Sequence, residues 1–279
     1  MPSPTAPAAR LLAARELPQA VFLVGGLGAG KTELALNLAR VQAEAFGPGK
    51  VHLLDVDIVN PYFRVRKVRD QLERAGVTVV MPGARVAESD IPALAVGIFG
   101  ALERPELRVV VDVGGDVVGL RPLARLRELA AARAAAVWFV ANPMRPGTRT
   151  VAEMQHLFAV LSEYSTLAPT AIVANPHLGG ETTPEVFAAG LPPVREFARA
   201  VGLPLVAAMV DETLLPQLPP CREALLPLHR YWRVAWTLGV REGDAPATAG
   251  ETGPPAHGAG AAPLAAPVLI RGGRRRRAV

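Results

Sequence analysis

Ala20-Val-Phe-Leu-Val24-Gly25-Gly26-Leu27-Gly28-Ala29-Gly30-Lys31-Thr32-Glu33-Leu34 is the stretch that decides the fold. Five apolar residues come first, short enough and apolar enough for a strand buried on both faces. Glycines follow at 25, 26, 28 and 30, then Lys31 and Thr32. Beyond them Leu34, Leu38, Val41 and Ala45 recur at helical spacing. Strand, glycine loop and helix together frame the pattern G-x-x-x-x-G-K-[ST], which in that context is a phosphate-binding loop. Glycines let the backbone curl so that successive N–H groups face phosphate oxygens. The helix N-terminus adds partial positive charge, Lys31 adds a full one, and the Thr32 hydroxyl suits Mg²⁺. The candidate nucleotide contacts are Gly25, Gly26, Gly28, Ala29, Gly30, Lys31, Thr32 and Glu33. Only three of the 30 basic residues are lysines, so one inside this loop is hard to ascribe to background.

Working outward, apolar runs recur at Val51–Leu54, Val77–Met81, Arg108–Asp112, Ala136–Val140, Thr170–Ala174 and Leu205–Met209. Helical stripes lie between them: Val68, Leu72 and Ala75; Ala93, Val96, Ile98 and Leu102; Leu123, Leu126 and Leu129; Val151, Met154, Phe158 and Leu161. Such alternation predicts an α/β fold with a mostly parallel sheet covered by helices on both faces. A last helix is predicted over Arg222 to Leu238, with Pro227 near its start and Trp232 and Trp236 on a core stripe. Residues 1–18 read as a flexible arm with a short helix near Leu11 to Glu16, and residues 19–240 as the nucleotide-binding domain. In residues 241–279, Ala, Gly and Pro fill 22 of 39 positions and no apolar period survives, which predicts a disordered tail.

Carboxylates stand where a bound cation would need them. Asp112 ends the run Val109-Val110-Val111, ahead of Gly114 and Gly115, at a strand end facing the ligand crevice. Asp55 and Asp57 follow the second strand and, two residues apart in an extended segment, point the same way. Asp55 and Asp112, with Thr32, are the candidate Mg²⁺ ligands, and either Asp55 or Asp57 could orient or deprotonate a water. Asp57 or Asn60 ahead of Pro61 would equally serve as a helix cap.

These elements resemble the MinD/ParA/CobQ-type nucleotide-binding domains of the SIMIBI class of P-loop NTPases, over roughly residues 20–215. The resemblance implies that Lys31 binds phosphate, Thr32 binds Mg²⁺ and Asp57 positions the attacking water. It also implies that Asn175, after Ala171–Ala174, reads adenine. MinD and ParA proteins carry an additional lysine where this chain has Gly26, so the resemblance stops short of their nucleotide-sandwich dimer, although a homodimer stays open. The loop is also similar to that of CobW/HypB/UreG-type metallochaperone GTPases. Their Asn-Lys-x-Asp signature is missing: Asn175 is followed by Pro, His and Leu. The expectation is a Mg²⁺-dependent ATP-binding protein, an ATPase acting as a switch or assembly factor. A synthetase or phosphotransferase of the cobyrinate and dethiobiotin synthetase kind is the alternative, and a regulator that barely turns over is a third.

The remaining signals constrain less. Net charge is +5, of which the six Arg and three acids of residues 241–279 contribute +3, so the predicted domain shows no strong nucleic-acid signal. The one cysteine, Cys221, precludes an internal disulfide and fits a reducing compartment. With no secretory leader or apolar run long enough to span a bilayer, a cytoplasmic location is expected. Arg64 is a switch-segment candidate, and Asn142-Pro-Met-Arg145 a candidate border of the crevice. The run Arg274–Arg277 reads as a solvated tail.

Overall fold

Strand β1 (Ala20–Val24) is buried at all five residues, as its unbroken apolar sequence requires, and lies in the middle of the sheet. The computed structural model describes residues 10–56, 65–81, 91–115, 123–165 and 167–231. Asp57, Asn60, Pro61, Arg64, Trp232, Trp236 and the predicted tail lie outside the described residues. The other strands are β2 (Val51–Asp55), β3 (Val77–Val80), β4 (Arg108–Asp112), β5 (Ala136–Ala141), β6 (Ala171–Ala174), β7 (Leu205–Asp211) and β8 (Leu225–Leu228). They form one sheet, parallel throughout, in the order β3-β2-β4-β1-β5-β6-β7-β8. The chain lays β2 to β4 on one side of β1 and β5 to β8 on the other. β1 is therefore the switch point at which a crevice opens over the carboxyl ends. This is an eight-stranded parallel α/β architecture with helices on both faces of the sheet.

Period-2 alternation splits the core. Phe22, Val24, Val109 and Val111 face helices α3 (Ile91–Glu103), α4 (Leu123–Ala132), α5 (Val151–Ser165) and α6 (Pro184–Ala200). Val21, Leu23 and Val110 face α1 (Lys31–Phe46) and α2 (Val65–Arg74). On α1 the buried face runs through Leu34, Ala35, Leu38, Ala39, Gln42 and Ala43. It therefore leaves the predicted stripe at Val41, which is half-buried, and Ala45, which is exposed. Val96, also placed on a core stripe, is 72% exposed, while Ile98, Ala101 and Leu102 carry the α3 contact.

Two elements depart from the sequence expectation. Helix α6 was not anticipated, because Pro192 and Pro193 stand in its middle and deprive the carbonyls of Ala188 and Ala189 of donors. Thr183 caps it, its hydroxyl accepting from the Val186 N–H, Pro184 occupies the first turn, and Phe187, Leu191, Val194 and Phe197 bury its face. The helix predicted over 222–238 does not begin there; Leu225–Leu228 is strand β8. Leu225 enters one core layer and Leu226 and Leu228 the other, an alternation only a strand provides. Pro227 has no N–H to give, which a strand at a sheet margin tolerates. Of the predicted arm, Arg10 and Leu12 bond to Leu225 through their backbones, Ala14–Glu16 form a single 3₁₀ turn, and Leu17 is buried.

Candidate nucleotide-binding site

The loop between β1 and α1 is held in the left-handed region at Gly28 (φ 74°) and Gly30 (φ 98°). Gly30 also has no room for a side chain, since a Cβ there would fall 2.2 Å from Asn175 Nδ2. The Lys31 side chain, 7% exposed, folds back over the loop, and Nζ donates to the carbonyls of Gly25 (2.9 Å) and Gly26 (3.0 Å). The ammonium is thus centred on the curl of backbone that surrounds it. Gly115, beyond β4, closes the same place: a Cβ there would lie 2.9 Å from Leu27 N, from Leu27 Cα and from Lys31 Nζ. The glycine after the β4 carboxylate is therefore a steric requirement of the loop.

Asp55 and Asp112 are register partners on β2 and β4, so both side chains leave the sheet on one face. Asp112 continues the alternation of Val110, and Asp55 that of Leu53, which is the face covered by α1. Both are buried, at 4% and 2% exposure. Adjacent strands lie roughly 4.8 Å apart, so two buried carboxylates here favour a nearby cation. Thr32 opens α1 on that same face. Oxygen donors of this kind suit Mg²⁺, which is commonly held by one or two carboxylates, a hydroxyl and substrate phosphates. Among the described residues, no three or more His, Cys, Asp or Glu side chains cluster as a metal site of their own.

From the loop a cleft of about 190 Å³ runs across the carboxyl ends of β5 to β8. Its walls include Gly28, Gly30, Thr32 and Glu33, then Asn142 and Arg145 after β5, Asn175 and His177 after β6, Met209 of β7, and Arg230 and Tyr231 after β8. Asn175 ties the two ends together. Its Nδ2 donates to Ala29 C=O at 2.7 Å, while Oδ1 is buried and receives no hydrogen bond within the described protein. Arg145 Nε donates to Gly28 C=O at 3.2 Å, across the crest of the loop. Its own loop is fixed by Asn142, which donates through Nδ2 to His177 C=O and accepts through Oδ1 from Met144 N–H.

The deep end of the cleft is rich in donors. Burial, followed by the charges of Arg230 and Arg145 and opposed by Asp211, lowers His177 to about 4. His177 is therefore neutral near pH 7, and its Nδ1 accepts from Gly179 N–H at 3.0 Å, which leaves the proton on Nε2. Asp211 is already engaged. Burial pushes its pKa up, but Thr213 N–H (3.0 Å), Thr213 Oγ1 (2.6 Å) and the Arg230 guanidinium (3.6 Å) hold it below its ordinary value.

The structure thus gathers Gly28, Gly30, Thr32, Glu33 and Asn175 around one cleft, with Gly25, Gly26, Ala29 and Lys31 in the loop beside it. Asp55 and Asp112 stand together on the α1 face. In the sequence Arg145 stands out only as part of a bordering loop, and His177, Met209, Arg230 and Tyr231 do not stand out as site residues. His177, Arg230 and Tyr231 belong to segments leaving the carboxyl end of a strand, the one signal that would have found them, and Met209 lies near the carboxyl end of β7 itself.

No protein-family model matches the sequence, and no curated protein matches it. Among solved structures the chain is similar to FtsY from Mycoplasma mycoides, at 15% identity and a TM-score of 0.45, covering 74% of this chain and 64% of that one. It is similar too to the signal recognition particle receptor FtsY from Elizabethkingia anophelis in complex with GDP, at 19% identity and a TM-score of 0.34, covering 75% of this chain and 54% of that one. The chain spans less than two thirds of the length of either, and at these values the likeness says nothing of chemistry.

Proposed function

We propose that the chain is a Mg²⁺-dependent ATP-binding protein, an ATPase that works as a switch or assembly factor. The observation that carries this is the Lys31 ammonium seated in its curl of backbone, with Asp55 and Asp112 side by side on the face where α1 begins. Lys31 and the amides of residues 25–32 bind the phosphates; Thr32, Asp55 and Asp112 would hold Mg²⁺. The ion, when bound, neutralises charge on the phosphates. Asp57 orients the attacking water in this reading.

Adenine is favoured over guanine by the acceptors on hand. Guanine presents N1–H and N2–H₂ side by side, a pair that a carboxylate accepts best; Asp211 is engaged by Thr213 and Arg230, and Glu33 of the cleft wall accepts from Tyr231 N–H. Adenine presents one amino group, for which the buried Asn175 Oδ1 is a suitable acceptor. A catalytic cation from the position of Gly26 is not available, and turnover by the protein alone is expected to be slow.

Calorimetric titration of the full chain with ATP and GTP, each with Mg²⁺, tests the proposal. ATP binding that is abolished by Lys31→Ala is the expected result. Unchanged affinity in a folded Lys31→Ala variant would refute the site, and preferential binding of GTP would refute the base assignment.

A further inference from the structure

Three residues beyond β8 make contacts that phosphate binding does not explain. His229, Arg230 and Tyr231 cross the first turns of α1. Asn37, 2% exposed, holds His229 by both ends of its amide: Oδ1 accepts from His229 N–H at 2.8 Å and Nδ2 donates to His229 C=O at 2.9 Å. One turn earlier, the Glu33 carboxylate accepts from Tyr231 N–H at 2.6 Å. Arg230 stands between the two anchors, lines the cleft beside His177 and Met209, and is braced by Asp211 Oδ2 at 3.6 Å and Gly179 C=O at 3.5 Å. A buried amide satisfied at both ends by one distant residue fixes that residue's register. Here it fixes Arg230 relative to the helix whose N-terminus faces the loop.

The position of Arg230 limits what it can touch. Its neighbours lie at the ends of β6 and β7, the second and third strands along from β1. The loop itself leans toward these strands, since a Cβ at Gly30 would meet Asn175 Nδ2 at 2.2 Å and Met209 Cε at 3.6 Å. Arg230, braced by Gly179 and Asp211 beyond those two residues, shares the wall with Asn175, which in the reading above meets the base. A planar guanidinium can stack on a base and donate to ring nitrogen or ribose oxygen.

We infer that Arg230 is a nucleoside-binding residue of this site, and that Asn37 and Glu33 are positioning residues that hold it through the backbone of His229 and Tyr231. The inference rests on the nucleotide reading above. It adds to that reading a role for the wall of the cleft supplied by the chain after β8.

The test is titration of the full chain with ATP, ADP and inorganic tripolyphosphate. Arg230→Ala is expected to weaken ATP and ADP by the same factor, about tenfold for loss of a charged donor, and to leave tripolyphosphate unchanged. Arg230→Lys keeps the charge but not the plane and is expected to stay weak. Asn37→Leu is expected to repeat the nucleotide-selective loss without removing a ligand contact. Wild-type affinity for ATP and ADP in folded Arg230→Ala, or a loss shared equally with tripolyphosphate, overturns the assignment. Should Arg230→Ala not fold, Arg230→Gln carries the same comparison. If the wild-type chain binds neither nucleotide nor tripolyphosphate, both readings fall. If it binds them through Lys31 and is indifferent to Arg230, only this one does.

Discussion

At the scale of single residues, the site depends on where side chains are excluded as much as on where they are placed. Gly115→Ala puts a methyl carbon 2.9 Å from Lys31 Nζ and from the Leu27 backbone. The expected outcome is a folded protein, with unchanged far-ultraviolet circular dichroism, that has lost most of its ATP affinity; full affinity would show that the loop yields. Asp112→Asn removes one of two facing carboxylates. In the wild type, Mg²⁺ with ATP should raise the melting temperature more than ATP alone, and Asp112→Asn should erase that increment. His177 gives a pH dependence. Unfolded, it takes up a proton near pH 6.5; folded, it resists protonation down to about 4. The unfolded state therefore binds more protons in that window, and stability falls as pH drops through it. Thermal melts between pH 7 and 4.5 should show a shallower loss for His177→Gln, and parallel curves would argue against a buried neutral imidazole. The loop residues 25–32 and the two strand-end aspartates were legible in the sequence because their meaning is local. Arg230 was not, since nothing near it in sequence tells that Asn37 will hold its neighbour.

Elements were legible where pattern and length agreed. All seven strands anticipated from apolar runs are present. The eighth was misread as a helix because Leu225 and Leu228 also fit a helical period, and only burial on alternate faces separates the two. Helix α6 was hidden by Pro192 and Pro193, for which tertiary packing compensates. Its Gly190 faces the site loops, where a Cβ would meet Pro176 Cβ at 2.4 Å and Met144 Cε at 2.7 Å. Gly190→Ala is expected to cost about 1–3 kcal/mol by overpacking, read as a lowered midpoint in urea denaturation. An unchanged midpoint would mean that the loops after β5 and β6 move aside. Downstream, Arg195 of α6 grips the buried Glu223 carboxylate with two hydrogen bonds, one of them at 2.8 Å. That pair fixes α6 to the segment that feeds β8.

For the whole molecule, the class of fold followed from alternation of strand and helix, but the order of the strands did not. Periodicity states which face of a strand is apolar and is silent on which strand lies beside it. The placement of β4 and β5 on either side of β1 is what brings Asp112 and Asn142 to the same loop. It also explains why the cleft draws on segments from Gly28 to Tyr231.

That spread has a consequence for biogenesis. Glu33 and Tyr231 are 198 positions apart, so the phosphate loop leaves the ribosome long before the segment that clasps its helix has been made. A nascent chain carrying β1 and α1 has a complete glycine loop with no far wall, and full affinity can arrive only when translation has passed residue 231. If the site binds nucleotide as proposed, full affinity would then coincide with the end of domain synthesis, and stalled or nicked chains lacking the last strand would hold nucleotide more weakly.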